Sequence, residues 1–372
     1  MRAFLVVGGV AFAVAYFVTP VVRRAAIRLG VVDVPDDRKV HHEPTPLLGG
    51  VALFIAVIAG IAVAAALPEF RDLFRESSEL VAVLVAGIVL IVLGVIDDTR
   101  GMHAPTKLAG QMLAAGILVL GGVQLVYFWV PGLGILSLST DLSTLLTIIW
   151  TIALINAVNL VDGLDGLAVG VTTIAAAAFF VYAHRTAGGE ATTAELLTAI
   201  LVGAGVGFLR HNFHPARIFM GDAGAMLLGL VLASATVSGI SRTTEPQFID
   251  VAGFIVPALL PVIVLAIPLA DVSIAIVRRV AGRRPMFHAD KQHIHHWLLD
   301  MARSHRQAVL VMYLWSSLLA AATMALALGP GVVWRWVSGA IAAVMVASVV
   351  ALPRWFRRSS TTGGAEHVRP GL

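Results

Sequence analysis

Apolar residues gather along this chain into blocks of mostly about 17–25 positions, the length that crosses a hydrocarbon core as a helix. They fall at roughly 3–21, 47–67, 80–96, 107–124, 143–160, 166–183, 194–210, 222–240, 251–279, 307–328 and 332–352, separated by polar stretches. The short alternating segments of a membrane β-barrel are missing. Backbone groups in lipid must pair within their own segment, so each block predicts a helix. The expected fold class is all-α: a polytopic integral membrane protein with about eleven transmembrane helices.

Composition agrees with that pattern. The chain is 58% hydrophobic and 13% charged, where a soluble domain is about 25% charged. The first block lacks a small-residue cleavage site and reads as a span, not a signal peptide. Arg23, Arg24, Arg28, Arg38 and Lys39 follow it, and basic loops stay in the cytoplasm. The N-terminus is then outside. Eleven crossings make the C-terminus cytoplasmic, where the run RWFRR begins the tail. Residues 1–355 form one membrane domain, and 356–372 form a polar, disordered tail. The sequence pI of about 9.8 reflects these topogenic residues, so no nucleic-acid partner is expected. Absence of cysteine excludes disulfides and thiolate chemistry.

The same parity puts five polar clusters on the cytoplasmic side: 36–46, 96–107, 159–166, 210–222 and 283–296. Asp97 and Asp98 end the third span. A helix C-terminus repels carboxylates, so this pair is expected to hold a cation or a proton. Gly101 stands where an Asp-Asp-x-x-Asp diphosphate motif needs its last aspartate. Lys107, opening the fourth span, needs an anionic partner: a phosphate, or Asp97 and Asp98. Asn156, Asn159, Asp162 and Asp165 recur every three residues, so Asn159, Asp162 and Asp165 would share a broad helix face. Ionisable groups at membrane depth face a polar cavity, and one helix cap explains a single aspartate, not the set.

Asp222, in FMGDAG, is either an N-cap or a hard oxygen ligand for Mg²⁺. Phe219 either stacks on a base or anchors at the interface. His293, His295 and His296 lie in DKQHIHH among Arg278, Arg279, Arg283, Arg284 and Lys291. So basic a setting favours phosphate over Zn²⁺. Asp271, inside a span that Pro257, Pro261 and Pro268 kink, reads as the partner of an arginine. Hard metal ligands, phosphate binders and a stacking aromatic together describe a nucleotide diphosphate handled at a membrane surface by phosphoryl transfer.

The motifs RKVHHEPTPLLGG, GVIDDTRGMHAPTKL, NAVNLVDGLDGLA, HNFHPARIFMGDAG and DKQHIHHWLL resemble the polyprenyl-phosphate N-acetylhexosamine-1-phosphate transferase family across nearly the whole chain. The resemblance implies an enzyme that moves a sugar 1-phosphate from a UDP-sugar to a polyprenyl phosphate, releasing UMP, with Mg²⁺ as cofactor and Mn²⁺ as a substitute. It implies that Asp222, with Asn159, holds the metal. Asn159, Asp162 and Asp165 would line the nucleotide and metal pocket, and Asn212 and Phe219 would contact uridine. Lys107 would contact the diphosphate. Asp97 and Asp98 would act on the lipid phosphate as base, nucleophile or positioning groups. His293, His295, His296, Arg38 and Lys39 would face phosphates and sugar.

The runs TPLLGG and DKQHIHH are similar to the group using UDP-GlcNAc. The competing group, the phospho-MurNAc-pentapeptide transferases, carries Thr-Pro-Thr-Met and Pro-x-His-His-His runs instead. The implied partners are UDP-GlcNAc, a polyprenyl phosphate and the lipid bilayer, with a homodimer left open. The implied place is the bacterial cytoplasmic membrane, with the site on its cytoplasmic face. A secondary transporter is the rival of another class, but transporters place charge near the midplane and often show repeats. Here charge collects at one end, and no repeat is visible.

Overall fold

The computed structural model describes residues 1–34, 44–130, 134–241, 259–266 and 305–328, with isolated positions 336, 339–340 and 343–344. The long helices are α1 (Arg2–Arg28), α2 (Gly49–Ala66), α4 (Glu79–Arg100), α5 (Ala104–Leu120), α6 (Thr140–Val161), α7 (Leu167–Thr186), α8 (Thr193–Asn212), α9 (Gly221–Ser241) and α10 (His305–Leu328). A short α3 (Arg71–Glu76) lies between α2 and α4. Eight of these helices are long and apolar enough to cross a membrane, and α5 is a shorter apolar helix. The chain is an all-α polytopic membrane protein. Nine of the expected spans meet helices, while those at 251–279 and 332–352 fall mostly outside the described residues.

Two differences have local causes. The first helix runs past its expected end to Arg28, since Arg23, Arg24 and Arg28 are good helix formers beside Ala25 and Ala26. These arginines therefore sit on the last turns of α1, not in a loop. The loop before α6 also contains an antiparallel hairpin, β3 (Tyr127–Val130) with β4 (Gly134–Ser137). Near the other membrane face β1 (Val32–Asp33) pairs with β2 (Thr45–Pro46).

Helix α9 is the centre of the bundle, enclosed by α2, α4, α6, α7 and α8, with Leu227, Val231, Ala235 and their neighbours fully buried. Lipid tails are as apolar as the helices, so close packing of small residues must hold such a bundle. The α2–α9 contact illustrates this: a Cβ on Gly50 would come within 2.2 Å of the Gly224 backbone nitrogen. On the other side of α9, a Cβ on Gly94 of α4 would come within 2.2 Å of Ala223 Cα. These approaches seat the first turn of α9 between α2 and α4, one turn from Asp98. Polar pairs inside the bundle find partners across helices: Trp150 Nε1 donates to Thr236 Oγ1 at 2.9 Å, and Asn156 Nδ2 to Gln111 Oε1 at 2.7 Å.

Alternating helix direction places the C-terminal ends of α1, α4, α6 and α8 beside the N-terminal ends of α2, α5, α7, α9 and α10. The expected polar clusters within the described residues lie at this one end.

Candidate active site

The first turn of α9 organises the site. Asp222 is its second residue. Its Oδ1 accepts a hydrogen bond from Lys107 Nζ at 2.6 Å and another from Asn159 Nδ2. Lys107 Nζ also meets Asp97 Oδ2 at 2.9 Å. One ammonium thus bridges carboxylates from α4 and α9. The sequence left Asp222 between cap and ligand. In the structure its carboxylate turns away from its own helix end, and Asp98 takes the cap position: Asp98 Oδ1 accepts from the Asp222 backbone N–H at 2.8 Å.

This pairing explains the unfavourable placement of two aspartates at the C-terminal end of α4. Asp98 meets the positive N-terminus of α9, and Asp97 meets Lys107. Gly221 makes the approach feasible. Its φ of +68° is a left-handed conformation, and a Cβ there would sit 2.3 Å from Asp98 Oδ2. Among the described residues that same buried Oδ2 has no hydrogen-bond partner. An ionised buried oxygen lacking a donor is costly, so the cluster has room in its chemistry for one more cation.

The expectation that Asn159, Asp162 and Asp165 share a helix face is corrected. Helix α6 stops at Val161, and the Gly163–Gly166 turn sends the side chains apart. Asn159, still helical, reaches Asp222. Asp162 is exposed at the rim. Asp165 points to the α8–α9 loop: its Oδ2 accepts from His214 Nδ1 at 2.7 Å and from the Ala216 N–H at 3.0 Å.

The end of α8 and that loop carry the two residues expected at uridine. Asn212 is buried and its Nδ2 donates to Ile218 O at 3.0 Å, closing the loop. Phe219 is held through its backbone: its N–H donates to Pro46 O at 2.8 Å, and its carbonyl accepts from the Gly49 N–H at 3.0 Å. Arg23 Nε donates to Arg217 O at 2.8 Å, tying α1 to the same loop. Arg38, Lys39, His293, His295 and His296 lie outside the described residues.

Several contributors escaped the sequence reading. Gln111 carried no local signal; it forms with Asn156, which the three-residue spacing had singled out, a polar tier one helical turn from Lys107 and Asn159. His214, His305, Arg306 and Tyr313 join Asp165 and Gly166. Asp165, His214 and His305 bring potential ligand atoms within 4.8 Å of one another. The two imidazoles, however, stack at 4.2 Å and 11°. A ligated metal lies in the plane of each ring, and near-parallel stacked rings share no such point. The trio is a hydrogen-bonded clasp.

The sequence profile described as glycosyl transferase family 4 matches residues 80–240, which span Asp97, Lys107, Asn159, Asp165 and Asp222. The decaprenyl-phosphate N-acetylglucosaminephosphotransferase of Mycobacterium tuberculosis (strain CDC 1551 / Oshkosh) is 41% identical over 364 residues, covering 95% of this chain and 90% of that protein. The probable undecaprenyl-phosphate N-acetylglucosaminyl 1-phosphate transferase of Bacillus subtilis (strain 168) is 36% identical, covering 80% of this chain and 77% of its own. A phospho-N-acetylmuramoyl-pentapeptide-transferase of Desulforudis audaxviator is 37% identical but covers 64% of this chain and 76% of its own.

Proposed function

Because the chain belongs to glycosyl transferase family 4, we propose that it transfers GlcNAc-1-phosphate from UDP-GlcNAc to a polyprenyl phosphate, releasing UMP. The observation that carries this reading is the Asp222–Lys107–Asp97 bridge at the helix ends, with Asn159 and Asp98 against it. At near-full coverage the relative named for N-acetylglucosamine is 41% identical over 95% of the chain, against 29% over 82% for a pentapeptide transferase, which favours UDP-GlcNAc over UDP-MurNAc-pentapeptide.

The lipid acceptor cannot leave the bilayer and the nucleotide cannot enter it, so the reaction belongs at the end of the bundle. Arg23, Arg24 and Arg28 on the last turns of α1 mark that end as cytoplasmic, in the bacterial cytoplasmic membrane. An acceptor phosphate oxygen attacks the β-phosphorus of UDP-GlcNAc. The bond from that phosphorus to the bridging oxygen breaks, and the electron pair leaves with UMP. A phosphate monoester has a second pKa of about 6, so the acceptor is largely dianionic at neutral pH and needs little help from a base. Asp97 and Asp98 then serve mainly to position it.

Lys107 stabilises charge on the moving phosphoryl group, and Phe219 offers a face to the base. The donor set fits a divalent cation: hard oxygens, a lysine standing between two carboxylates, and an Asp98 Oδ2 that has no hydrogen-bond partner among the described residues. Asp222 and Asn159 would hold Mg²⁺, with Mn²⁺ as a substitute. When bound, Mg²⁺ neutralises diphosphate charge.

The test is turnover of purified protein with Mg²⁺, polyprenyl phosphate and each nucleotide sugar separately. Lipid-linked product from UDP-GlcNAc alone supports the reading. Product from UDP-MurNAc-pentapeptide alone replaces the donor, and product from neither overturns UDP-GlcNAc as the donor and sends the test to other UDP-sugars, whose failure would reopen the transporter reading.

A further inference from the structure

The clasp around Asp165 is built from three separate parts of the chain. His305 is the first residue of α10, and its Nε2 accepts the Asp165 backbone N–H at 3.2 Å. Accepting at Nε2 places the proton of a neutral His305 on Nδ1. His214, from the α8–α9 loop, donates Nδ1–H to the Asp165 carboxylate at 2.7 Å and stacks on the His305 ring. Arg306 Nε returns to the His214 carbonyl at 2.8 Å, and the Tyr313 hydroxyl donates to Gly166 O at 2.5 Å. Both bonds to the Asp165 side chain fall on Oδ2, so among the described residues Oδ1 is the oxygen left for the pocket. The backbone of residue 165 is held from α10 and its side chain from the α8–α9 loop.

We propose that His305 and His214 are positioning residues for the donor nucleotide: through Asp165 they set the affinity for the uridine nucleotide without touching it. The inference rests on the reading that Asp165 lines the nucleotide pocket. The turn 162–166 follows a helix end and contains two glycines, so its conformation needs outside support. The clasp supplies that support before the ligand arrives, which lowers the ordering cost of binding.

Side-chain chemistry separates positioning from simple packing. In His305→Gln the amide oxygen can still accept the Asp165 N–H; in His305→Leu the volume stays and the acceptor goes. With the full-length protein, Mg²⁺ and saturating polyprenyl phosphate, His305→Leu is expected to raise KM for UDP-GlcNAc about tenfold, the factor one hydrogen bond carries. Its kcat should stay within about threefold, and His305→Gln should stay within about threefold in both constants. UMP affinity by calorimetry should follow KM. Equal effects of Leu and Gln, or a fall in kcat at constant KM, would overturn the proposal.

If His305→Leu does not fold, His214→Leu against His214→Asn reads the same contrast, since the Asn amide still donates to Asp165. If wild type turns over no UDP-GlcNAc, the functional reading fails separately. The clasp is then judged on UMP affinity: weakening in the Leu variant alone supports it, and no difference overturns it.

Discussion

Replacing Lys107 with methionine removes the ammonium and keeps the stem. Lys107 is 19% exposed and Asp97 10%, so water screens their contact little. The substitution breaks two charge-assisted hydrogen bonds, at 2.6 Å and 2.9 Å, each contributing about 1.5–3 kcal/mol. It also leaves Asp97 and Asp222 facing each other. Two like charges about 5 Å apart repel by roughly 3 kcal/mol at an effective dielectric near 20. The terms overlap, and removing one partner of such a pair destabilises by about 3–5 kcal/mol. At roughly 2 °C per kcal/mol for a large chain, the melting temperature in detergent with EDTA should fall by about 6–10 °C. Mg²⁺ should recover most of that loss, because a cation again stands between the carboxylates. Activity should not recover: losing a donor to the moving phosphoryl group costs about 10²–10³ in kcat. Lys107→Arg should keep the melting temperature but not the rate, since a planar fork replaces a point charge. A Lys107→Met protein that melts like wild type in EDTA and turns over within a few-fold would refute the bridge.

Gly221→Ala forces a left-handed alanine, at about 1–2 kcal/mol, and drives its Cβ into the Asp98 carboxylate. Steady-state rates should fall by about tenfold or more as the cap on Asp222 is lost. Gly50→Ala puts a methyl group against the Gly224 backbone; overpacking of about 3 kcal/mol should appear as a melting temperature lower by roughly 6 °C. Asn159→Leu deletes a donor to the Asp222 carboxylate, so kcat/KM should drop by about 10–100-fold and a Mg²⁺ titration should shift to higher concentration. Full activity in that variant would remove Asn159 from the site.

Much of this architecture is written in the linear pattern, because the bilayer demands long apolar blocks and so fixes where most helices lie. The parity that gathered the polar clusters at one end needed only the basic residues after the first span. What the pattern could not supply was the pairing across helices. Asp98 reads as misplaced until α9 is seen starting against it, and Asp222 reads as a cap for its own helix until Asp98 is seen in that role. The three-residue spacing of Asn159, Asp162 and Asp165 misled because the helix that would have aligned them stops at Val161. His305 is an ordinary residue in SHRQ; its contact with Asp165 spans 140 positions, and no local signal carries it.

The most direct test of the central claim is a coupled count of products. Purified protein in detergent or nanodiscs is given UDP-GlcNAc, polyprenyl phosphate and Mg²⁺, and UMP and lipid-linked GlcNAc are quantified together for wild type and Asp222→Ala. The account predicts equal amounts of the two products from wild type and near-complete loss of both in the variant. UMP without lipid-linked sugar, or an Asp222→Ala protein as active as wild type, would contradict it.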